Sequence, residues 1–372
     1  MIPTRHLHLD PLKRQPLLKD QAVPNEDTTA LPTKKVHFHP GGSGKDEDAS
    51  VYFIGTATMM IEWQGIRILT DPNFLHAGDH VHLGPGVTAQ RKTNPAVDLH
   101  ELPSLDCILL SHYHEDHFDR LVENSLNRNF HIITTPHAKA CLASGEAKEE
   151  PFRSVHGVDV FESMMLHIDR REPRLAGGYG KVPAIKVTGM PGKHVPPGAL
   201  SLANSVLRAV PPTNGWLVEL GYTFKAPTGD DPDTLDTGYR VYISGDTLFV
   251  DELREIPTWL RRQQQLLLPV HQQSRSQKQR NSRIDLMLVH LGGTTIPGPA
   301  IPLVMVTMDA AQGFRLMELM QPGVTIPVHY DDYSVFLSPL AEFKDKVDGE
   351  GWRERVVYLD RGEAFRFKVL GG

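Results

Sequence analysis

Ser-His-Tyr-His-Glu-Asp-His-Phe-Asp is the sequence of residues 111–119, and it directly follows an apolar run at 107–110. It places four possible metal ligands in six consecutive positions: His112, His114, Asp116 and His117. Residues two apart in an extended segment project the same way, so the first two imidazoles can reach one ion. The turn that follows brings the carboxylate and the third imidazole towards a second ion. This spacing predicts a site for two metal ions, and a histidine-rich surface turn is the alternative interpretation.

The composition limits the class of protein. The chain has 372 residues, a net charge of −6 and two cysteines, Cys107 and Cys141. Because there is no basic excess, we expect no nucleic-acid partner. The two cysteines exclude a disulfide framework and favour a reducing compartment. No apolar run approaches the roughly 18 residues of a membrane-spanning helix, and the first residues lack a signal-peptide pattern. We therefore expect a cytoplasmic protein without a membrane span that acts on a small-molecule substrate; the oligomeric state has no sequence signal.

The chain divides at about residue 50. Residues 1–50 are polar, rich in Pro, Lys and Asp, and without a sustained period, which predicts an N-terminal tail or strap. A hairpin signature at 51–70 then opens a single domain at 51–372. In this domain short predicted strands and helices alternate in two similar halves. The pattern predicts an α/β protein, an αββα sandwich of two packed mixed β-sheets with helices on the outer faces.

Two segments have the composition of insertions. Residues 230–233 are acidic, and residues 261–283 are rich in Gln, Arg and Ser, which predicts a low-complexity insertion. Solvated loops are the simpler interpretation of both. A partner-binding role for the basic segment is the alternative.

Three further side chains that suit a metal follow predicted strands: His194, Asp246 and His329. Active sites are often built from residues at the ends of strands, so these three can complete the first motif. The expected sets are His112, His114 and His194 for one ion and Asp116, His117 and His329 for the other, with Asp246 as a bridge. Imidazole and carboxylate ligands suit zinc but also manganese and iron, so we expect two divalent ions, zinc before the others.

These segments, in this order, resemble the metallo-β-lactamase superfamily of metallohydrolases. The resemblance covers roughly residues 51–370 and includes the Leu69-Thr70-Asp71-Pro72 turn and the Ser244-Gly245-Asp246 segment. It looks closest to the branch that contains ascorbate phosphate lactonase and N-acylphosphatidylethanolamine phospholipase D. There a Gly-His-Ala-Thr-like segment precedes the turn, whereas this chain has Thr56 in place of the histidine.

The resemblance implies the same assignment of metal ligands and a metallo-β-lactamase fold for the domain. It also implies that Asp71 orients a ligand imidazole from behind, as such carboxylates do in metal sites. An aspartate that starts a turn before proline is the alternative for this residue.

The expected activity is hydrolysis of a small-molecule ester, lactone or amide bond by a hydroxide that bridges the two ions. Asp116 is the candidate catalytic residue, because a carboxylate beside the bridging solvent could take or relay a proton. A lactonase-like enzyme fits this expectation. The nearest alternative is a phosphodiesterase acting on lipid or nucleotide phosphodiesters, and the alternative of another class is a non-catalytic metal-binding or regulatory protein on the same scaffold.

Polar side chains near the predicted ligands are candidates for the substrate pocket. They are His80 and His82 on the long loop at 73–100, His290 at another strand end, and Tyr330 and Asp332 after His329. A solvated or packing role is the alternative for each. Residues 195–212 read as a loop and a short apolar helix that could wall the pocket and favour an acyl or lactone substrate, with core packing as the alternative.

Overall fold

The computed structural model describes residues 4–22, 30–40, 42, 44–84, 87–145, 150–169, 181–196, 198, 204, 210–224, 234–267, 283–298 and 301–371. In chain order the strands are β1 (Arg5–Leu9), β2 (Lys35–Phe38), β3 (Ala49–Gly55), β4 (Thr58–Trp63), β5 (Ile66–Thr70), β6 (His80–Gly84), β7 (Val87–Gln90), β8 (Cys107–Leu109), β9 (Ile132–Thr134), β10 (Val155–Gly157), β11 (Ser163–Ile168), β12 (Lys181–Pro191), β13 (Asn214–Phe224), β14 (Asp236–Ile243), β15 (Leu286–His290), β16 (Thr295–Gly298), β17 (Ile301–Met305), β18 (Val324–Val328) and β19 (Glu363–Phe367). The α-helices are α1 (Arg120–Ser125), α2 (Pro136–Ala143), α3 (Glu255–Leu267), α4 (Ala310–Met320) and α5 (Leu340–Gly349), and short 3-10 helices lie at Leu99–Glu101, Asp251–Arg254 and Arg353–Arg355.

Two mixed sheets pack face to face. Over the described ranges, one has seven strands in the order β1-β11-β12-β13-β14-β15-β18 and the other has eight in the order β10-β9-β8-β5-β4-β3-β19-β2. Their inner faces share one apolar cluster, in which Trp63 and Phe365 of the second sheet meet Trp216 and Val241 of the first. Burial of large apolar side chains is the main favourable term in holding such layers together.

Helices cover the outer faces of both sheets. Val122 of α1 and Leu142 of α2 pack in an apolar cluster with the outer face of the eight-stranded sheet. Phe314 of α4 and Phe343 of α5 do the same on the seven-stranded sheet. The predicted αββα sandwich is confirmed.

The strand directions bring several carboxyl ends to one edge. β14, β15 and β18 are parallel neighbours. β12 runs in the same direction as β14, because β13 lies between them and is antiparallel to both. In the second sheet, β5, β8 and β9 are likewise parallel. The N–H of Asn214 donates to the carbonyl of Ser111 at 3.1 Å and ties the two sheets together at this edge. The loops that leave these strands carry the predicted metal ligands.

Part of the N-terminal segment belongs to the sheets. β1 pairs in parallel with β11, and β2 pairs in parallel with β19, so residues 1–50 supply one edge-side strand to each sheet. Leu9 is buried in the core between the sheets. The residues of β1 and β2 therefore do not form an unattached tail, because their backbone groups pair with strands of the two sheets. The division of the chain into domains stays a prediction.

The predicted insertions are described only in part. α3 includes residues 261–267, so the beginning of the basic segment is helical, whereas residues 268–282 lie outside the described residues. Residues 230–233 and most of 199–209 also lie outside them. In the described part of the chain no helix combines the length and the apolar character needed to cross a bilayer.

Candidate metal centre

Three histidines meet where β8 and β12 end. Nε2 of His112 lies 3.0 Å from Nε2 of His194. The opposite ring nitrogens are held from outside, because Nδ1 of His112 is 2.9 Å from Oγ of Ser111 and Nδ1 of His194 is 2.9 Å from the carbonyl of Val306. The ring of His114 lies beside them, 5.6 Å from that of His112 between centroids. Two imidazoles therefore point their inner nitrogens at one place.

A second group lies next to the first. Nε2 of His117 is 3.2 Å from Nε2 of His329, and both face Oδ2 of Asp246, at 3.2 and 3.5 Å. Oδ2 of Asp116 completes the group at 3.6 Å from His329 and 3.9 Å from His117. Ligand atoms of these four side chains all lie within 4.8 Å of one another, and all four residues are buried. Asp246 also converges with His112 and His194 in the same way. The structure thus brings all seven predicted ligands together, with Asp246 between the two sets.

Asp71 lies behind this second group. Its Oδ2 is 3.3 Å from Nδ1 of His117, and its Oδ1 accepts the N–H of Ser111 at 2.6 Å. A carboxylate can only accept, so the Nδ1 atom of His117 carries a hydrogen, and its Nε2 atom points inward and is the atom that a metal would bind. This is the arrangement that fixes the tautomer of a metal-binding imidazole.

The donor atoms fit divalent transition metals. Backbone carbonyls accept from Nδ1 of His194 and, at 3.0 Å, from Nδ1 of His329, so both rings present lone pairs at Nε2. The inner nitrogens of His117 and His329 face each other 3.2 Å apart beside carboxylate oxygens. A cation can take this place when His117 gives up the proton that the neighbouring carboxylates favour. Imidazole nitrogens and carboxylate oxygens in this number suit zinc, manganese or iron.

The electrostatics match the same chemistry. Burial holds the pKa of His112 well below 6.5 and lowers the pKa of His194 to about 4. Burial opposes charge at Asp246 as well, but neighbouring histidines, His329 first among them, hold the pKa of this carboxyl well below its ordinary range. The pKa of Asp116 is likewise well below its ordinary range because His114 and His117 outweigh the effect of burial. The carboxylates in turn raise the pKa of His114 and His117 above 6.5 against the effect of burial. Since neutral imidazoles and ionised carboxylates are the forms that bind metals, these two rings would release protons on binding.

A glycine makes the position of Asp246 possible. Gly245 follows β14 with φ of +60°, a conformation that side-chain-bearing residues avoid. A Cβ atom at this residue would lie 2.4 Å from the carbonyl of Asn214. Only glycine lets the backbone turn here so closely against the neighbouring strand and place the next carboxylate over the site.

His290 lies at the end of β15, next to the ligands. Its side chain is completely buried, and its Nδ1 lies 3.0 Å from Oδ1 of Asp246. The expectation of a substrate contact stays a prediction for this residue, since the structure shows its contact with Asp246 and holds no substrate. His290 contacts the carboxylate that separates the two groups of ligands.

Tyr330 and Asp332 are buried as well. The hydroxyl of Tyr330 donates to the carbonyl of Leu359 at 3.3 Å, and burial raises the pKa of this phenol. The carboxylate of Asp332 has no exposed surface and pairs with Arg361. Both side chains thus have partners within the protein, and a direct contact of either with a substrate stays a prediction.

His80 and His82 lie on the exposed side of β6. The hairpin β6–β7 is attached to the histidine motif, since the N–H of His82 donates to Oε2 of Glu115 at 2.7 Å. Its other face is apolar and packs against Tyr333 and Phe336. Whether these two histidines touch a substrate stays a prediction.

Thr307 is a site residue that sequence reasoning missed. Its hydroxyl donates to Oδ2 of Asp246 at 3.1 Å. The cap of α4 is Asp309, whose side chain accepts the N–H of Gln312, so the threonine before it is left to contact the site. No spacing in the sequence marks such a residue, because the loop and the strand meet only in the folded chain.

Comparisons with known proteins agree with this fold. A family model described as a beta-lactamase superfamily domain matches residues 66–330. A protein of Archaeoglobus fulgidus named a metal-dependent hydrolase is 24% identical over 318 residues, which is 85% of this chain and 98% of the relative.

Two solved structures share the architecture. An isothiocyanate hydrolase from Delia radicum gut bacteria superposes with a TM-score of 0.57 at 14% identity, over 86% of this chain and 99% of the other. A possible metal-dependent hydrolase from Veillonella parvula gives a TM-score of 0.57 at 16% identity, over 86% of this chain and 100% of the other. At these identities the likeness shows the fold alone.

Proposed function

Because the chain belongs to the beta-lactamase superfamily, with the metallo-β-lactamase fold, we propose that it is a hydrolase that uses two divalent metal ions, zinc before manganese or iron. The name of the Archaeoglobus relative, a metal-dependent hydrolase, supports the same general activity. The residues that would hold one ion are His112, His114 and His194, those for the other are Asp116, His117 and His329, and Asp246 would serve both.

One observation carries this proposal: the inner imidazole nitrogens are paired while the outer ones are already engaged. Nε2 of His112 meets Nε2 of His194 at 3.0 Å, and Nε2 of His117 meets Nε2 of His329 at 3.2 Å. Nδ1 of His194 and Nδ1 of His329 donate outward to backbone carbonyls, and Nδ1 of His117 donates outward to Asp71. Engagement of the outer nitrogens leaves the inner ones to bind cations, with release of any proton they carry, which favours a cluster built to bind metals.

When bound, a pair of such ions supplies Lewis acidity for a carbonyl oxygen and lowers the pKa of water from 15.7 to about 7. The chain's own contribution centres on Asp116. Its carboxylate is ionised at neutral pH, because the neighbouring histidines hold its pKa well below the ordinary range. We assign it the task of accepting a proton from the attacking water and returning it to the leaving group. Neither Cys107 nor Cys141 belongs to the cluster, so no side-chain nucleophile is required.

The surroundings of the cluster favour an uncharged acyl substrate, an ester, lactone or amide. Two basic side chains that are close in sequence to the candidate ligands already form ion pairs, Lys193 with Glu252 and Arg120 with Glu115. On another side, the apolar cluster of the β6–β7 hairpin reaches the site through Phe336, whose ring packs 4.6 Å from that of His329. Phosphate groups are commonly bound by charge-assisted hydrogen bonds from arginine or lysine, and Lys193 and Arg120 already bind carboxylates.

Reconstitution with zinc, manganese or iron tests the proposal. We expect close to two metal ions per chain by elemental analysis, and turnover within a panel of lactones, thioesters, p-nitrophenyl esters, β-lactams and bis(p-nitrophenyl) phosphate. Replacement of one ligand, His114→Ala, should lower hydrolysis by orders of magnitude. The matched control is His131→Ala, at a histidine directly before β9 and outside the cluster, which should retain activity.

The possible outcomes separate the alternatives. A protein that takes up no metal after reconstitution contradicts the dinuclear proposal. Turnover of bis(p-nitrophenyl) phosphate alone would mean that the protein is a phosphodiesterase and not a hydrolase of esters, lactones or amides. Tight binding of two ions without turnover of any substrate supports the non-catalytic metal-binding protein.

A further inference from the structure

His329 has an unusual backbone conformation for a ligand. Its φ angle is +60°, and the residue it contacts, Thr56, has φ of +52°. Residues with side chains avoid this left-handed region, and they remain there only where the surrounding structure holds them. The contacts that hold these two residues therefore bear on where the imidazole of His329 lies.

A chain of hydrogen bonds runs from His329 to a buried carboxylate. The N–H of His329 donates to the carbonyl of Thr56 at 2.8 Å. The N–H of the same Thr56 donates to Oδ2 of Asp332 at 2.9 Å. One peptide unit on each side of Thr56 thus connects the ligand to Asp332.

The carboxylate is itself held by two donors. Its other oxygen accepts from the hydroxyl of Thr93 and from the guanidinium of Arg361. A second guanidinium, that of Arg91, is 1% exposed and donates to the hydroxyl of Thr56. Asp332 therefore sits at the centre of a polar network inside the protein, and loss of its charge would leave Arg361 without its ion pair.

We infer that Asp332 is a positioning residue for the second metal ion, acting through the backbone of Thr56 on His329. This inference rests on the proposed function. Nδ1 of His329 is fixed by the carbonyl of Leu291 and its backbone by Thr56, so the ring is held at both ends and Nε2 stays 3.2 Å from Nε2 of His117. Release of the backbone end lets the ring tilt away from its partner. Among the described residues, no hydrogen bond joins Asp332 or Thr56 to His112 or His194, so the effect on the other ion should be smaller.

Cobalt(II) titration of the metal-free protein tests the inference, since the visible spectrum of Co(II) reports each site separately from activity. In Asp332→Asn we expect the first equivalent to bind as in the wild type and the second to bind at least tenfold more weakly, in line with the 10–100-fold effects of groups that orient ligands. A changed spectrum for the second equivalent should accompany the weaker binding.

Glu219→Gln is the matched control. Glu219 is a buried carboxylate paired with Arg240 at 2.8 Å on β13, away from the ligands, so its loss destabilises the fold in a comparable way. Thermal unfolding of both variants shows whether they are similarly destabilised, and cobalt binding should be normal in Glu219→Gln alone. Thr56→Gly keeps both backbone groups and suits the positive φ, so it should retain tight binding of the second ion.

Three results would overturn the inference. These are normal affinity for the second equivalent in Asp332→Asn, the same weakening in Glu219→Gln, or loss of the second ion in Thr56→Gly. If the wild-type protein binds fewer than two cobalt ions, the proposed function fails and this inference fails with it. Two ions bound with the same affinities in the wild type and in Asp332→Asn contradict the inference alone.

Discussion

Nδ1 of His290 lies 3.0 Å from Oδ1 of Asp246. The imidazole is fully buried and stacks between neighbours, with ring centroids 5.8 Å from His117 and 5.6 Å from His329. One oxygen of the carboxylate is thus occupied by His290, and the other faces the histidines of the site. His290 therefore determines which oxygen of Asp246 is available to cations.

Replacement of His290 by phenylalanine should weaken the site. The ring volume is kept, but Asp246 loses its donor and can rotate, so we expect a loss of about 10–100-fold in metal affinity or kcat/KM, as is usual for groups that orient ligands. Metal content and steady-state kinetics measure this. His167→Phe, at a buried histidine of β11, is the control, and equal effects of both substitutions would assign His290 to packing only.

Asp71→Asn tests whether the carboxylate behind His117 orients this ring. The amide can still accept the N–H of Ser111, but it lacks the charge beside Nδ1 of His117, 3.3 Å away in the native protein. We expect the second metal ion to bind about 10–100-fold more weakly. Unchanged cobalt binding would mean that Asp71 serves only as the turn residue before Pro72.

Removal of metal should lower the stability of the fold. Without cations the buried carboxylates of Asp116 and Asp246 have, among the described residues, only the neighbouring histidines to balance their charge. A ligand at one hundred times its Kd stabilises the native state by about 2.7 kcal/mol. Chelation should therefore lower Tm and added zinc should restore it, as followed by calorimetry. A Tm that does not respond to either treatment contradicts a native metal site.

His156 should make stability depend on pH away from the site. It lies on β10 with Nε2 3.4 Å from Nδ1 of His131, and burial, followed by the charge of His131, lowers its pKa from 6.5 to about 4. Between pH 6.5 and 4 the unfolded chain binds a proton that the folded protein does not. The contribution of His156 to the free energy of unfolding is therefore fully present above pH 6.5 and is lost as the pH falls to about 4. Below that pH it changes no further.

His156→Gln removes the group and should flatten the profile in this window. Urea unfolding at several pH values between 4 and 7 measures the difference, with Lys139→Gln, a neighbour on α2, as the control for a change of local charge. The same slope in the wild type and in His156→Gln would show that other groups cause the pH dependence.

The first motif could be read because its geometry is local. His112, His114, Asp116 and His117 lie in one short segment, so their spacing already limits where their side chains point. The strand-end pattern also predicted that His194, Asp246 and His329 lie at one edge, since parallel strands of an α/β protein place their carboxyl ends together. The structure brings all of them together.

Other parts of the site could not be predicted in this way. His290 and Asp332 look like polar residues at exposed strand ends, yet both are fully buried. Thr56 carries no sign of its link to His329, which lies more than 250 residues later in the chain. The strands β1 and β2 were missed because a short polar segment can join an existing sheet edge through backbone hydrogen bonds, for which its side chains need no pattern.

The sequence by itself determined the fold of this protein and the kinds and number of its candidate ligand atoms. It could do so because hydrophobic alternation and ligand spacing act over a few residues and follow from the geometry of single strands and turns. Only the tertiary structure decided which side chains support the ligands and which remain open to a substrate. That choice depends on which distant segment covers each strand end, and His290, Asp332 and Thr56 received their places from segments that come together only when the two sheets pack.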